Sequence, residues 1–188
     1  MNGSKSLMRT RTETARHPFL SCLVSPSELR LPSGNSVSVP TCRYRLKLWR
    51  GKPIADTYGR KPVLDFHGKA VFAEIAIVRI LQMAGWDGVW VDTYSRGKFR
   101  QSMPPHECAL PSHAQDLYDR ICLANGKRIG GCFDVFAWKG PKYLFVESKW
   151  HDSIGKKQIE WFEVALNSGV PLRSFLIFQW SIDENEKG

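Results

Sequence analysis

The chain has 188 residues, a formal net charge of +9, 43% hydrophobic residues and 24% charged residues. That length suits one domain with an extension and is enough to bury a sizeable core. No apolar run reaches the length of a membrane span, and the basic start lacks the apolar segment of a signal peptide. The five cysteines form no Cys-x-x-Cys pair and are odd in number, so a zinc knuckle and a disulfide framework are both disfavoured. We therefore expect a cytoplasmic protein that does not associate with a membrane.

The positive charge is concentrated in the first third of the chain. Residues 1–61 contain 12 Lys and Arg against three acids, whereas residues 62–188 contain 15 of each sign. We interpret residues 1–40, which mix Ser, Thr, Pro, Gly and Arg without periodicity, as a disordered or loosely attached arm. A basic arm on a neutral domain suits a polyanionic partner, because each neutralised phosphate releases counterions. A solubilising tail would explain residues 1–35 equally well.

Residues 41–64 are interpreted as a basic strand followed by a linker. The run from 41 to 49 alternates, with Arg43, Arg45 and Lys47 on one side and apolar residues on the other, as in a half-buried strand. Its basic face is a candidate contact for nucleic-acid phosphates, and a charged solvent-facing edge strand is the alternative. The candidate nucleic-acid-binding residues are Arg43, Arg45, Lys47, Arg50 and Lys52.

Residues 65–181 have the pattern of an α/β domain. An almost uniformly apolar run predicts a buried helix over 70–84, and the sequence GVWVDTY predicts a strand over 88–94. An insertion at about 95–130 lacks strand character but contains a short helix near 114–124. Ser153 is the expected N-cap of a helix over 155–167, and a nearly all-apolar strand follows over 173–180. We expect residues 182–188 to form a flexible tail.

Residues 131–150 predict a β-hairpin, because two runs rich in Val, Phe, Tyr and Trp flank the turn sequence Lys-Gly-Pro-Lys. With the turn centred on residues 140 and 141, Asp134 faces Glu147, and Lys149 lies on the same face of the sheet. Two adjacent carboxylates require a cation, either Lys149 or a hard divalent ion such as Mg²⁺. A solvated charge pair is the alternative, and a shift of register by one residue would move Glu147 to the other face.

Glu74 is an anomaly within the apolar helix. Its neighbours three and four residues away along the helix are all apolar, so none of them pairs with its charge. Because a buried, unpaired carboxylate is strongly destabilising, Glu74 needs a partner from elsewhere in the fold. That partner is either a distant Lys or Arg, or the same cation that Asp134 and Glu147 face.

The order helix, strand, hairpin, helix, strand, with acids at these places, resembles the core of the PD-(D/E)xK nuclease superfamily. Within it the VRR-NUC group is the most similar, because of GCFD at residues 131–134, ESK at residues 147–149, and Gln158 three residues before Trp161. The likeness covers about residues 65–181. Phe133 stands where relatives commonly have a proline, and a Val-Arg-Arg triplet is not evident.

The resemblance implies a restriction-endonuclease-like core (αβββαβ), in which helices flank a mixed central sheet, and it implies a site for Mg²⁺ or Mn²⁺. Lys149 would orient the attacking water or stabilise developing negative charge. Gln158 would assist near the scissile phosphate, and a polar helix-border residue bonded to the backbone is the alternative. The implied metal ligands are Asp134, Glu147, the main-chain carbonyl of Ser148, and Glu74, which would position a water or a second ion.

The sequence therefore predicts a metal-dependent hydrolase, a nuclease that cuts phosphodiester bonds, with DNA as the expected nucleic acid and an endonuclease as the expected type. Structure-selective cutting is one option. A nucleic-acid-binding module that keeps the fold without chemistry is the alternative, and a plain ion-pair network is a third. Self-association as a homodimer is left open.

Overall fold

The computed structural model describes residues 19, 22–55, 58, 60–95 and 97–183. Within these ranges the helices are α1 (Ala73–Met83), α2 (Ser112–Ala124) and α3 (Lys156–Asn167). The strands are β1 (Leu23–Arg30), β2 (Ser36–Leu48), β3 (Leu64–Asp65), β4 (Ala70–Val71), β5 (Asp87–Asp92), β6 (Lys98–Arg100), β7 (Glu107–Cys108), β8 (Val135–Lys139), β9 (Lys142–Lys149) and β10 (Phe175–Ile182). None of the helices in these ranges combines the length and apolar composition needed to span a bilayer.

The strands form one mixed sheet. Their order is β4-β3-β2-β10-β9-β8-β5-β6-β7, and β1 pairs with β2 off this path. β10 runs parallel to both β2 and β9, whereas β8 is antiparallel to β9 and to β5. This order places β2, from the basic N-terminal third, one strand away from the hairpin that carries the predicted acids.

Helices cover both faces of the central strands. On one face, Ile75 and Val78 of α1 belong to a buried apolar cluster that includes Val135 and Val146 of the hairpin. On the other face, a second buried cluster surrounds Phe136 and Phe145. It includes Tyr118 of α2 and Phe162 of α3. The protein is therefore an α/β domain with a mixed central sheet, which confirms this part of the predicted fold class.

The predicted hairpin and its register are confirmed. Val135 pairs with Val146 and Phe136 with Phe145, whose rings stack with centroids 4.5 Å apart. The two-residue turn begins at Gly140, whose φ of 54° is the positive value that a tight hairpin needs and that most side chains disfavour. A local turn signal was therefore enough to align the two strands.

The prediction of a loose arm over residues 1–40 is wrong for the part that the structure describes. β1 and β2 form an antiparallel pair, and Leu29 and Val39 lie in the core. The register shifts between Val24 and Ser27, on either side of Pro26, which lacks the N–H that a ladder requires. This irregularity hides the strand pattern of β1 in the sequence. Residues 1–18, 20 and 21 lie outside the described residues.

Further boundaries also differ from the prediction, beginning with the helix expected over 70–84: Ala70 and Val71 form β4, so α1 starts only at Ala73. The insertion at 95–130 contains α2 as expected, but also β6 and β7, which extend the sheet beyond β5. Gly155 rather than Ser153 precedes the first turn of α3. Ile182 belongs to β10 rather than to a tail, and residues 184–188 lie outside the described part of the chain.

Candidate functional site

The candidate site lies where the β8–β9 hairpin meets α3. Continuing the hairpin register by one residue places Asp134 opposite Glu147. The main-chain N–H of Ser148 donates to Asp134 Oδ2 at 3.0 Å. Glu147 points to the face covered by α3, because it alternates with Val146, which packs on the opposite face, and Asp134 lies at the bend just before β8. The backbone of the hairpin thus holds two carboxylates side by side.

Gly131 allows this segment to approach α3 closely. Its φ is +93°, and a β-carbon at this position would overlap the main-chain carbonyl of Lys157 in the first turn of α3. Without a side chain at residue 131, the chain passes directly beside that turn on its way to Asp134. Gln158, the next residue of α3, is thereby brought to the acids.

Glu147 is fully buried, with 0% of its surface exposed. Its Oε1 accepts hydrogen bonds from Lys149 Nζ at 2.9 Å and from Gln158 Nε2. Its Oε2 is also buried, but has no hydrogen-bond partner among the described residues. One oxygen of this carboxylate is therefore well satisfied, while the other lacks a donor or a cation.

Lys149 is a fixed positive charge beside the two acids. Its Nζ lies 2.9 Å from Glu147 Oε1, 3.0 Å from Asp152 Oδ2 and 3.2 Å from Gln158 Oε1. Burial disfavours the charged amine, but the carboxylates of Glu147 and Asp152 together outweigh it and raise the pKa of Lys149 above its ordinary value. Gln158 Oε1 also accepts the N–H of Gly155 at 2.8 Å, which anchors the amide at the start of α3.

The protonation of the two acids is shifted by their surroundings. Enclosure in the protein and then the charge of Glu74 raise the pKa of Asp134 to about 6. Burial and then the charge of Asp134 raise the pKa of Glu147 well above its ordinary range. The charges of Lys61 and Lys149 act to lower the pKa of Asp134, but they do not outweigh burial and the charge of Glu74. Near neutral pH the pair therefore favours binding of a proton or of a further cation.

Glu74 approaches the same region from the first turn of α1, where it is 6% exposed. Its Oε1 pairs with Nζ of Lys61, which also lies 4.7 Å from the centre of the Trp90 ring. A lysine from outside the helix, one of the two predicted partners of Glu74, is therefore present. Glu74 Oε2 is buried without a hydrogen-bond partner in the described part of the chain, and the charge of Glu74 raises the pKa of Asp134. The other predicted partner, a shared cation, stays a prediction.

The acids fit Mg²⁺ or Mn²⁺ in chemistry, but are not drawn together as a preformed cage. Both ions prefer oxygen ligands, and the partnerless Oε2 atoms of Glu147 and Glu74 are oxygens that a cation would satisfy. Across the described ranges, no group of three or more His, Cys, Asp or Glu side chains is arranged to hold a metal. An ion would therefore have to draw these side chains closer together.

Ser148 was predicted to contribute its main-chain carbonyl. Its hydroxyl accepts a hydrogen bond from Trp180 Nε1 at 3.0 Å, on the face of β9 opposite Glu147. This bond fixes the backbone of β9 between Glu147 and Lys149, while the role of the carbonyl as a ligand stays a prediction.

Two clefts meet at the end of β9, and Trp150, Asp152 and Trp180 line both of them. The first, of about 230 Å³, is also lined by residues on the α1 side of the site: Lys61, Pro62, Ala73, Glu74 and Ser148. The second, of about 300 Å³, is also lined by residues on the β10 and β2 side: Arg43, Lys149, His151, Gln179 and Ser181. Glu74 therefore borders the first cleft, and Lys149 borders the second.

One of the five candidate nucleic-acid-binding residues reaches the site. The parallel pairing places Arg43 beside Gln179 of β10, and Gln179 beside Lys149 of β9, so the three form one polar row. Arg43 Nε donates to Gln179 Oε1 at 3.3 Å. The other four are exposed on β2 and the loop that follows it, and their role stays a prediction: Arg45, Lys47, Arg50 and Lys52.

Sequence reasoning missed four residues of this site, namely Lys61, Trp150, Asp152 and Trp180. Lys61 and Trp180 carry no local signal, because their contacts with the site depend on how distant elements pack. Trp150 directly follows the ESK motif and Asp152 lies just beyond it. Proximity to the motif was the signal available for both of these residues.

No family model, curated protein or solved structure matches the chain.

Proposed function

We propose that the protein is a divalent-metal-dependent nuclease, an endonuclease that hydrolyses phosphodiester bonds of DNA. The observation that carries this proposal is the placement of Asp134 opposite Glu147 with too little positive charge to balance them. Both pKa values are raised, and Glu147 Oε2 is buried without a partner among the described residues. A site that holds two acids in this state is suited to bind a hard cation.

The arrangement of the elements supports the same proposal. The succession α1, β5, the β8–β9 hairpin, α3 and β10 is the order expected of a restriction-endonuclease-like core, and the acids and Lys149 lie at the corresponding places. β10 lies parallel to β9, and α3 covers the face of the hairpin that bears Glu147. Glu74 and Ser148 line one of the two clefts at the end of β9, and Lys149 lines the other.

Each residue has a distinct role in the proposed site. Asp134, Glu147 and the carbonyl of Ser148 would hold Mg²⁺ or Mn²⁺, with Glu74 alongside. The ion would supply an acidified water and withdraw charge from the phosphate. Lys149, kept protonated by Glu147, would stabilise the negative charge that develops on the phosphate oxygens. Gln158 positions both Glu147 and Lys149 through its hydrogen bonds, so it would act through them.

A nucleic-acid-binding module without chemistry is the second candidate, and one observation favours it. Lys61 pairs with Glu74, while Lys149 and Gln158 pair with Glu147, so the chain itself partly satisfies the acids. Such internal pairing would hold the fold without any metal. Arg43 beside the site would then contribute only to affinity for phosphates.

Cleavage assays separate the two candidates. Supercoiled plasmid, linear duplex, single-stranded and branched DNA would be incubated with Mg²⁺, Mn²⁺ or EDTA. We expect metal-dependent cutting by the unmodified protein, and a loss of about a hundredfold or more in Asp134→Asn and in Lys149→Gln, because each removes transition-state stabilisation. Glu107→Gln, which removes an exposed acid of β7, is the matched control and should cut normally.

DNA that is bound but not cut under any of these metal conditions would favour the binding module. Cutting that persists in EDTA, or in Asp134→Asn, would contradict the metal site. Circular dichroism of each variant shows whether a loss of cutting reflects a loss of folding.

A further inference from the structure

A stack of aromatic rings rises from the core directly beside the candidate catalytic lysine. Trp180 is buried, and Trp150 lies over it with ring centroids 5.2 Å apart and planes within 2° of parallel. The ring of His151 lies 4.6 Å from that of Trp150. Trp150 keeps 38% of its surface exposed, and His151 is exposed. The stack thus leads from the core to solvent.

The stack is held in a fixed position relative to the acids. Trp180 Nε1 donates to Ser148 Oγ at 3.0 Å, and Ser148 lies between Glu147 and Lys149 on β9. Trp150 is the residue directly after Lys149. A ring fixed in this way loses little further freedom when a flat ligand stacks on it, so binding there carries a small entropic penalty.

The cleft beside the stack is suited to a phosphate as well as to a flat ring. Its volume is about 300 Å³, and Arg43 lines it together with Trp150, His151 and Lys149. Arg43 makes no ion pair with a carboxylate among the described residues, and its Nε bonds to Gln179. The acid in the cleft, Asp152, is already paired with Lys149 at 3.0 Å. The cleft therefore combines an exposed aromatic ring with an uncompensated guanidinium.

On these grounds, and resting on the proposed nuclease function, we propose that this cleft binds an unpaired DNA nucleotide. Its base would stack on the solvent-facing end of this stack, against Trp150 and the exposed ring of His151, and its phosphate would lie against Arg43. Every base has a flat face that stacks on an aromatic ring regardless of sequence, whereas the bases of an intact duplex are stacked on one another and are not available. The site would then select DNA that carries unpaired nucleotides beside the scissile bond.

Binding measurements in EDTA test the subsite without any cutting. Fluorescence anisotropy would give the affinity for a single-stranded oligonucleotide and for a duplex of the same sequence. We expect Trp150→Ala to lower the ratio of single-strand to duplex affinity about five- to hundredfold, the effect of losing one base–aromatic stack. Trp150→Phe should restore most of the ratio, because a phenyl ring still offers a stacking face.

Tyr94→Ala is the matched control. Tyr94 is 96% exposed and lines a different surface, with Ser95, Lys98 and Arg100, so its loss should leave the ratio unchanged. Thermal unfolding of Trp150→Ala and Trp150→Phe verifies that both variants fold. An unchanged ratio in folded Trp150→Ala, an equal loss with Tyr94→Ala, or no DNA binding by the unmodified protein would overturn the subsite.

Cutting in Mg²⁺ then separates this inference from the nuclease proposal. If the unmodified protein cuts DNA but Trp150→Ala keeps the same preference between single-stranded and duplex substrates, the subsite is wrong and the nuclease stands. If no DNA is cut but Trp150→Ala loses the single-strand preference in binding, the subsite stands and the nuclease proposal fails.

Discussion

Asp92 and Asp134 are acids on neighbouring segments of the same sheet, but they have opposite surroundings. Asp92 ends β5 and is 1% exposed, and its Oδ2 accepts a hydrogen bond from Arg100 Nε at 2.7 Å. Burial works to raise the pKa of Asp92, but hydrogen bonds from Ser95 and Arg100 outweigh it and lower that pKa. Asp134 instead faces Glu147, and its pKa is raised to about 6.

The contrast shows that the fold can neutralise a buried acid, as it does at Asp92. At Asp92 one arginine balances one carboxylate. Lys149 pairs with Glu147, but at Asp134 the charges of Lys61 and Lys149 do not offset burial and the negative charge of Glu74. Because uncompensated buried charge lowers stability, a site that retains it is a candidate for function rather than for structural support.

The largest expected effect follows from removing the positive partner of Asp92. Arg100→Met leaves a buried carboxylate unpaired, so we expect the free energy of unfolding to fall by about 3–5 kcal/mol at neutral pH. The loss should shrink in acid, where the carboxylate is protonated. Urea unfolding at neutral and at acidic pH measures this loss of stability.

Lys98→Met is the control. It breaks the exposed ion pair between Glu107 and Lys98, which lies two residues before Arg100 on β6, and it should change the free energy of unfolding by less than about 1 kcal/mol. Equal effects of the two substitutions would contradict the structural role of Arg100.

Replacing Asp134 is expected to have an intermediate effect on the free energy of unfolding, opposite in sign to that of Arg100→Met. Its pKa is higher in the folded chain than in the unfolded chain, so the folded state holds its proton more tightly, and its contribution to stability falls as pH rises from about 4 to 6. At pH 8 without metal, Asp134→Asn should therefore raise the free energy of unfolding, by about 1–3 kcal/mol. Chemical denaturation in EDTA measures the change, and Asp116→Asn on the exposed face of α2 is the control. A destabilised Asp134→Asn would show that the two acids stabilise the fold.

The smallest expected effect is the pH dependence of metal binding. A proton and a cation compete for the same carboxylates, so stabilisation by Mn²⁺ should be larger at pH 8 than at pH 5 and should decline as pH falls through about 6. The thermal shift produced by millimolar Mn²⁺ at each pH tests this expectation. Asp134→Asn should abolish the shift at every pH. A shift of equal size at pH 5 and pH 8, or one that survives in Asp134→Asn, would mean that the ion binds elsewhere.

Features that depend on neighbours in the chain were predictable. The Gly140 turn aligned the β8–β9 hairpin, and continuing its register then placed Asp134 opposite Glu147. The apolar pattern likewise located α1 and α3, although their ends differ by a few residues from the prediction. Turn geometry and helical periodicity act over a few residues, and for that reason a single sequence reveals them.

Features that depend on packing between distant elements were not predictable. β1 was interpreted as part of a loose arm, since its bulge disrupts alternation and its stability comes from pairing with β2. Lys61 was placed in a linker, yet it pairs with Glu74. Arg43 could be recognised as basic and exposed, but only the parallel pairing of β2 with β10 brings it beside Lys149.

The sequence by itself determined which acids face one another, because a hairpin of two strands and one turn is a local structure. The same local pattern offered Lys149 as their cation, whereas tertiary structure decided which other residues surround them. Lys61, Asp152, Trp180 and Arg43 reach the site through helix packing, a loop and parallel strand pairing, contacts whose partners lie from a few residues to more than a hundred residues apart. Burial, which raises the pKa of Asp134, is a property of the assembled fold and is not encoded in any one segment.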